Sequence, residues 1–157
     1  MIYLKFGSLL GDVQEAGHTN WFELLSVNWG LLRPVSNPAG SAAGRVLSAP
    51  RLAELSVCKH EDAGTIPLIQ EALVGLACDA QIDFCRTGAG DASVYYSITM
   101  NGTLITAFTQ SGTGERPQES LTFNFTKISF SGTQMDADGS SASPSSYSWD
   151  VSGNAPA

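Results

Sequence analysis

The chain is short of charge. Only 15% of its 157 residues are Asp, Glu, Lys or Arg, against about 25% in an average protein. What charge there is runs negative, with eight Lys and Arg against fifteen Asp and Glu and a formal net charge of −7. Duplex nucleic acid is bound through a basic face that displaces counterions from phosphates, and anionic membrane surfaces attract polybasic segments. The balance here argues against both partners. Long apolar runs are missing too: no segment approaches the roughly 18 apolar residues that a membrane-spanning helix needs. The start, MIYLKF, lacks a basic region, a long apolar run and a small-residue cleavage site, so no cleaved signal peptide is expected and synthesis is placed in the cytosol. Cysteine is scarce and odd in number, at Cys58, Cys78 and Cys85. Buried free thiols are the expectation for all three.

What is present is alternation. The most strongly patterned stretch runs from Glu119 to Gly139, ESLTFNFTKISFSGTQMDADG. Leu121, Phe123 and Phe125 alternate with Thr122, Asn124 and Thr126, the period of two of a half-buried strand. The parity then shifts at Lys127, and Ile128 and Phe130 continue in the opposite phase. That shift predicts a β-bulge, or a strand covered on both faces.

The rest of the chain repeats the theme. Ile2, Leu4 and Phe6 form a first strand. NWFELLSVNWG reads as one long strand with Trp21 and Trp29 on a single face, anchoring a core. Leu31 to Pro50, rich in proline, glycine and small residues, reads as a long extended loop within the domain. RLAELSVCKH is a strand in which Lys59 shares the parity of Leu55 and Val57. One helix is predicted from Thr65 to about Cys78, capped by Thr65 with Pro67 in its first turn, and with Leu68, Ile69, Ala72, Leu73 and Leu76 as its apolar stripe. AQIDFCRT is a strand with Ile82 and Phe84 inward. SVYYSITM and TLITAFTQ flank Asn101-Gly102, the strongest short hairpin signal. A last strand lies around Tyr147 to Val151. The length favours a single domain spanning residues 1–157. About eight strands and one helix predict a mainly β fold, a barrel or sandwich with the helix packed on it.

Chemical motifs are sparse. Asp136, Asp138 and Gly139 suggest the start of a calcium loop, but an EF-hand needs glycine sixth and an acidic ligand twelfth, and the spacing fails; turn chemistry accounts for them. His18 and His60 each have carboxylates near them in sequence, Glu23 for the first and Glu61 or Asp62 for the second. No GxSxG elbow supplies a nucleophile. Cys78 and Cys85 stand seven apart without a CxxC or a neighbouring histidine, so no zinc site is expected. The glycine pairs Gly88-Ala-Gly90 and Gly112-Thr-Gly114 open no helix and cradle no phosphate. Asn101-Gly-Thr103 and Asn124-Phe-Thr126 match the glycan acceptor pattern inside a predicted turn and a predicted core strand. No catalytic residue, cofactor or metal ligand is expected, and a structural role leads.

Three segments carry a family resemblance. GHTNWFELLSVNWG is similar to the GH-x-x-W-x-E-x-x-S-x-x-WG segment of the haemolysin-coregulated protein (Hcp) family, the tube subunits of type VI secretion systems. KHEDAGTIPLIQEAL resembles that family's K-x-x-D segment leading through proline into its single helix. ESLTFNFTKISFSGTQMDADG, followed by SWDV, resembles its C-terminal signature. Order and spacing fit along nearly the whole chain. The first loop lacks lysines near Glu15 to His18, the helix entry is Thr65-Ile66-Pro67 rather than Ser-Pro, and the cysteines lie outside the motif.

The resemblance implies a β-barrel of two packed sheets with one flanking helix. It implies a homo-hexameric ring that stacks head to tail into a hollow tube, with a contractile sheath, a spike protein and small effector proteins as partners. Assembly in the cytoplasm is followed by secretion through the type VI machinery. The loop at about 31–50 aligns with the family's extended loop, and Arg33, Asn37 and Arg45 are its expected contacts with a neighbouring subunit or ring. A tail-tube subunit of another phage-like contractile particle shares the same physics. A carbohydrate-binding β-sandwich, using Tyr95, Tyr96, Trp149 and Asp150, is the third reading.

Overall fold

The computed structural model describes residues 1–36, 45–86, 93–112, 114–135 and 141–157. Fourteen strands and one helix appear among them: β1 (Ile2–Phe6), β2 (Phe22–Leu24), β3 (Ser26–Asn28), β4 (Leu31–Leu32), β5 (Val35–Ser36), β6 (Val46–Leu47), β7 (Arg51–Leu52), β8 (Leu55–His60), α1 (Thr65–Val74), β9 (Cys78–Arg86), β10 (Ser93–Ser111), β11 (Gln118–Asn124), β12 (Lys127–Met135), β13 (Ser141–Asp150) and β14 (Ala155–Pro156). The fold is mainly β, a barrel of two packed sheets with one flanking helix.

One sheet runs β2-β1-β9-β10-β12-β13-β14 and the other β3-β8-β11-β10, all pairs antiparallel. Strand β10 belongs to both. Its first half pairs with β9 and β12, and its second half, from Leu104 to Ser111, pairs with β11. The predicted hairpin at Asn101-Gly102 is therefore absent. The chain turns a corner there and continues in the second sheet. Gly102 supplies the bend with φ +57°, a left-handed conformation that costs glycine little, and the β9 ladder is bulged between Met100 and Thr103. Strands that change sheets do so through such bends and bulges.

The parity shift at Lys127 has the same origin. It is neither a bulge within one strand nor a doubly covered strand. The chain leaves the second sheet after Asn124 and enters the first at Lys127. Asn124 faces Leu104 on one side of the corner and Lys127 faces Asn101 on the other, so the two-stranded ribbon keeps its register while both strands bend together. Thr126 ties the bend, its N–H donating to Asn101 O at 3.0 Å and its Oγ1 to the same oxygen at 3.0 Å.

NWFELLSVNWG behaves likewise. Phe22 and Leu24 point into the core beside β1. Leu25 is exposed, its N–H donating to Cys58 O at 2.7 Å, and Val27 then turns inward beside β8. The two tryptophans do not share one face: Trp21 stands edge-on to His18, whereas Trp29 stacks on Phe130. Between the sheets lie Leu4, Phe6, Phe22, Ile82, Leu121, Phe123 and their neighbours, with Phe6 stacked on Phe123 across the barrel. Each such side chain contributes about 1.5–3 kcal/mol on burial.

The helix ends earlier than its pattern predicts, at Val74, where Gly75 takes φ +73° and donates to Glu71 O at 2.8 Å, a left-handed C-terminal stop. Its N-cap is Gly64 and not Thr65. Gly64 lies against Phe22 and Leu10 O, where a Cβ would collide. Of the predicted apolar stripe only Leu68 is fully buried. The described parts of the region from Leu31 to Pro50 are also more regular than an extended loop, because β4 pairs with β7 and β5 with β6. Residues 31–36 and 45–52 make a two-stranded arm.

Candidate functional site

Two buried polar clusters and one exposed arm are the features that ordinary core packing does not explain. The first cluster extends the inward face of the second sheet. Lys59 follows Leu55 and Val57 on β8, and Glu119 precedes Leu121 and Phe123 on β11. The two stand directly opposite in the ladder. Lys59 Nζ donates to Glu119 Oε2 at 2.8 Å and to His60 O at 2.8 Å, and lies 3.0 Å from Asp62 Oδ1. Glu119 Oε1 accepts from Thr65 Oγ1 at 2.8 Å and from Gln110 Nε2 at 3.0 Å. Thr65, predicted as a helix cap, is thus turned toward the barrel, and its Oγ1 also accepts from Asp62 N at 3.1 Å. Every charge here has a partner, which is what makes full burial tolerable. The cluster fastens the start of α1 to two strands. Its signal was in the sequence, as a lysine and a glutamate at inward-facing parity.

The second cluster lies under the loop from Gly7 to Trp21. His18 is buried with Nε2 3.0 Å from Asp83 Oδ2. A carboxylate oxygen accepts, so Nε2 carries the hydrogen. Gln81 Nε2 donates to both Asp83 oxygens at 3.0 and 3.2 Å, and Ser97 Oγ donates to Oδ1. Tyr3 stacks on the imidazole and Trp21 meets it edge-on, both at 4.7 Å. Cys85 Sγ is 3.8 Å from the same Nε2. A catalytic triad uses one ring nitrogen for the carboxylate and the other for the nucleophile. Here both contacts fall on one nitrogen, and Nδ1 has no hydrogen-bond partner among the described residues. Burial, and then Asp83, push the Cys85 thiol up from its ordinary value, away from the thiolate a nucleophile requires. His18 pins the loop over β1 and β9. His60 is exposed, and the structure does not bring the two histidines into one site.

The arm carries the expected contact residues. Arg33 is exposed and its Nε donates to Ser48 O at 3.0 Å, bracing the two sides of the arm. Arg45 is exposed just before β6. Asn37 lies outside the described residues, as do Asp136 to Gly139 of the acidic turn and Gly88 to Gly90. Sequence reasoning missed the arm's apolar character: Leu31, Leu32, Val35, Val46 and Leu47 are all exposed. At its base, Trp29, Leu31, Pro50, Leu52, Tyr147 and Trp149 border a hollow of about 380 Å³. A shallow trough of about 460 Å³ adjoins it, with Tyr95, Tyr96, Phe130 and Tyr147 among its lining. Trp149 does not line that trough, and Asp150 is engaged by Gly153 N at 2.9 Å, so the four residues of the carbohydrate reading do not converge. Among the described residues no cluster of His, Cys, Asp and Glu suits a metal ion, and no helix is long and apolar enough to cross a membrane.

A family model described as "Type VI secretion system effector, Hcp" matches residues 3–131. The chain belongs to the Hcp family. Solved structures agree on the fold. One described as a type six secretion system protein shares 20% identity at TM-score 0.89, covering 99% of this chain and 98% of that one. Hcp1 from Salmonella typhimurium shares 17% at TM-score 0.80, covering 99% and 97%. A type VI secretion system effector from Yersinia pestis shares 20% at TM-score 0.75, covering 96% and 100%. No curated protein sequence matches the chain. By family the chain is a type VI secretion system Hcp protein, and those structures share its β-rich fold. The buried clusters then stand as internal fastenings, and the arm as an exposed apolar surface.

Proposed function

We propose that this Hcp-family chain is a structural, non-enzymatic subunit of the type VI inner tube. Its 157 residues act as one unit. Six copies close into a ring, rings stack head to tail into a hollow tube, and sheath contraction drives that tube outward beneath a spike with small effectors in the lumen. The tube assembles in the cytoplasm and leaves through the type VI machinery. Membership of the family over residues 3–131 carries this reading. The geometry supports it, since a polar-clad barrel that projects an arm of exposed leucines and valines has a surface that water alone does not satisfy. A ring is a heterologous contact that closes by rotation, and a stack is one that does not close. Arg33, Asn37 and Arg45 take part in the arm's contacts with the neighbouring copy.

Electron microscopy of the purified protein tests the proposal. Six-fold rings are expected, and a particle that stays monomeric at high concentration would overturn it. Export that stops when the sheath is disabled places the chain in the secretion tube. Export that continues assigns it to another contractile particle.

A further inference from the structure

We infer that the arm of one copy docks on the outer face of α1 in the next copy. The inference rests on the ring-forming reading above and names the surface that receives the arm. Two exposed apolar patches are paired by it. One is the arm, with Leu31, Leu32, Val35, Val46 and Leu47 exposed. The other is α1 and its C-terminal stop, where Ile66 is 71% exposed, Leu73 83%, Val74 58% and Leu76 63%. The helix presents only Thr65 and Leu68 as fully buried residues, so most of its apolar surface faces outward. Neither patch meets the other within one chain: the arm's strands pair with one another, and α1 packs against β10.

Charge matches the two patches. Residues 29–53 contain Arg33, Arg45 and Arg51 and neither Asp nor Glu, in a chain where acids outnumber bases nearly two to one. Residues 61–79 contain Glu61, Asp62, Glu71 and Asp79 and neither Lys nor Arg. Asp62 is committed to Lys59. Glu71 lies in α1 close before Val74, and Asp79 stands at the start of β9, close after Leu76, where it accepts from Gly102 N. An apolar surface that carries arginines thus has an apolar counterpart that carries acids. Opposite rim charges steer and orient such a contact while the apolar centre supplies affinity. Two different patches meeting between copies make a heterologous contact, the kind that closes rings.

The experiment compares full-length variants by sedimentation and electron microscopy over a concentration series, with circular dichroism confirming that each is folded. Leu73→Glu is expected to raise the concentration for half-assembly about tenfold or more, because it places a charge in the apolar centre. Reversing the arm rim (R45E with R51E) or the helix rim (E71K with D79K) is expected to weaken assembly several-fold. Both reversals in one chain are expected to restore it, since every contact then pairs opposite charges again. Rings that form normally in Leu73→Glu, or a combined variant no better than its parents, overturn the inference while leaving the ring reading intact. A wild-type protein that forms no rings overturns both.

Discussion

Lys59 Nζ sits 2.8 Å from Glu119 Oε2, with both side chains completely shielded from solvent. The pair occupies the place where the apolar rows of β8 and β11 would otherwise continue. Two opposed charges at a ladder position where hydrophobic residues are expected fix the register of β8 against β11, because a slip would leave each buried and alone. Through Asp62 and Thr65 the same pair determines where α1 begins, and so how its outward face is presented.

Breaking this pair one-sidedly is expected to be severe. Lys59→Met or Glu119→Gln strands a buried group, at a cost of about 3–5 kcal/mol for the broken pair. The double change K59M with E119L is expected to recover much of that loss. Urea denaturation of the three variants measures it, and a double variant as unstable as the singles would refute the account.

Gly102→Ala is expected to destabilise by roughly 1–3 kcal/mol, since its left-handed backbone disfavours a side chain. The new Cβ would also sit 2.6 Å from Thr126 Oγ1. Adding Thr126→Ala removes that collision, so the two changes together are expected to cost less than their sum. A thermodynamic cycle from chemical melts reads the difference.

His18→Ala is expected to cost about 2–4 kcal/mol, because it empties a site between Tyr3 and Trp21 and leaves Asp83 without its histidine. His60→Ala, at an exposed position, is expected to stay within about 0.5 kcal/mol of the wild type. Thermal melts of both variants separate a structural histidine from a merely accessible one.

The Cys78 thiol supplies a pH dependence. Burial, with Glu71 and Asp79 nearby, raises its pKa from the ordinary 9.0 to about 11. The folded state holds this proton more tightly than the unfolded state, so the stabilisation is complete below pH 9 and is lost as pH rises toward about 11. Stability measured across that window is expected to fall less in Cys78→Ala than in the wild type. Alkylation of Cys78 in the folded protein is likewise expected to stay slow at pH 8.

Strand existence, the single helix, the predominance of β structure and the family were legible in the residues themselves. Period-two alternation reports which side chains share a face, and that is a local property of a pleated backbone. Even the corners left a mark. The inward parity changes between Leu24 and Val27, between Met100 and Thr103, and between Phe125 and Ile128. Only the tertiary structure decided what those shifts mean, because a parity change looks the same whether a strand bulges, reverses or passes into another sheet. Asn-Gly is at home in a tight hairpin, yet here the preceding half of β10 is held by β9 and β12 and the following half by β11. Long-range ladder pairing outweighed the local turn preference. Likewise, the inward lysine and glutamate were visible in sequence, but their meeting across two strands, and the exposure of the outer helix face, are set by contacts between residues far apart in the chain.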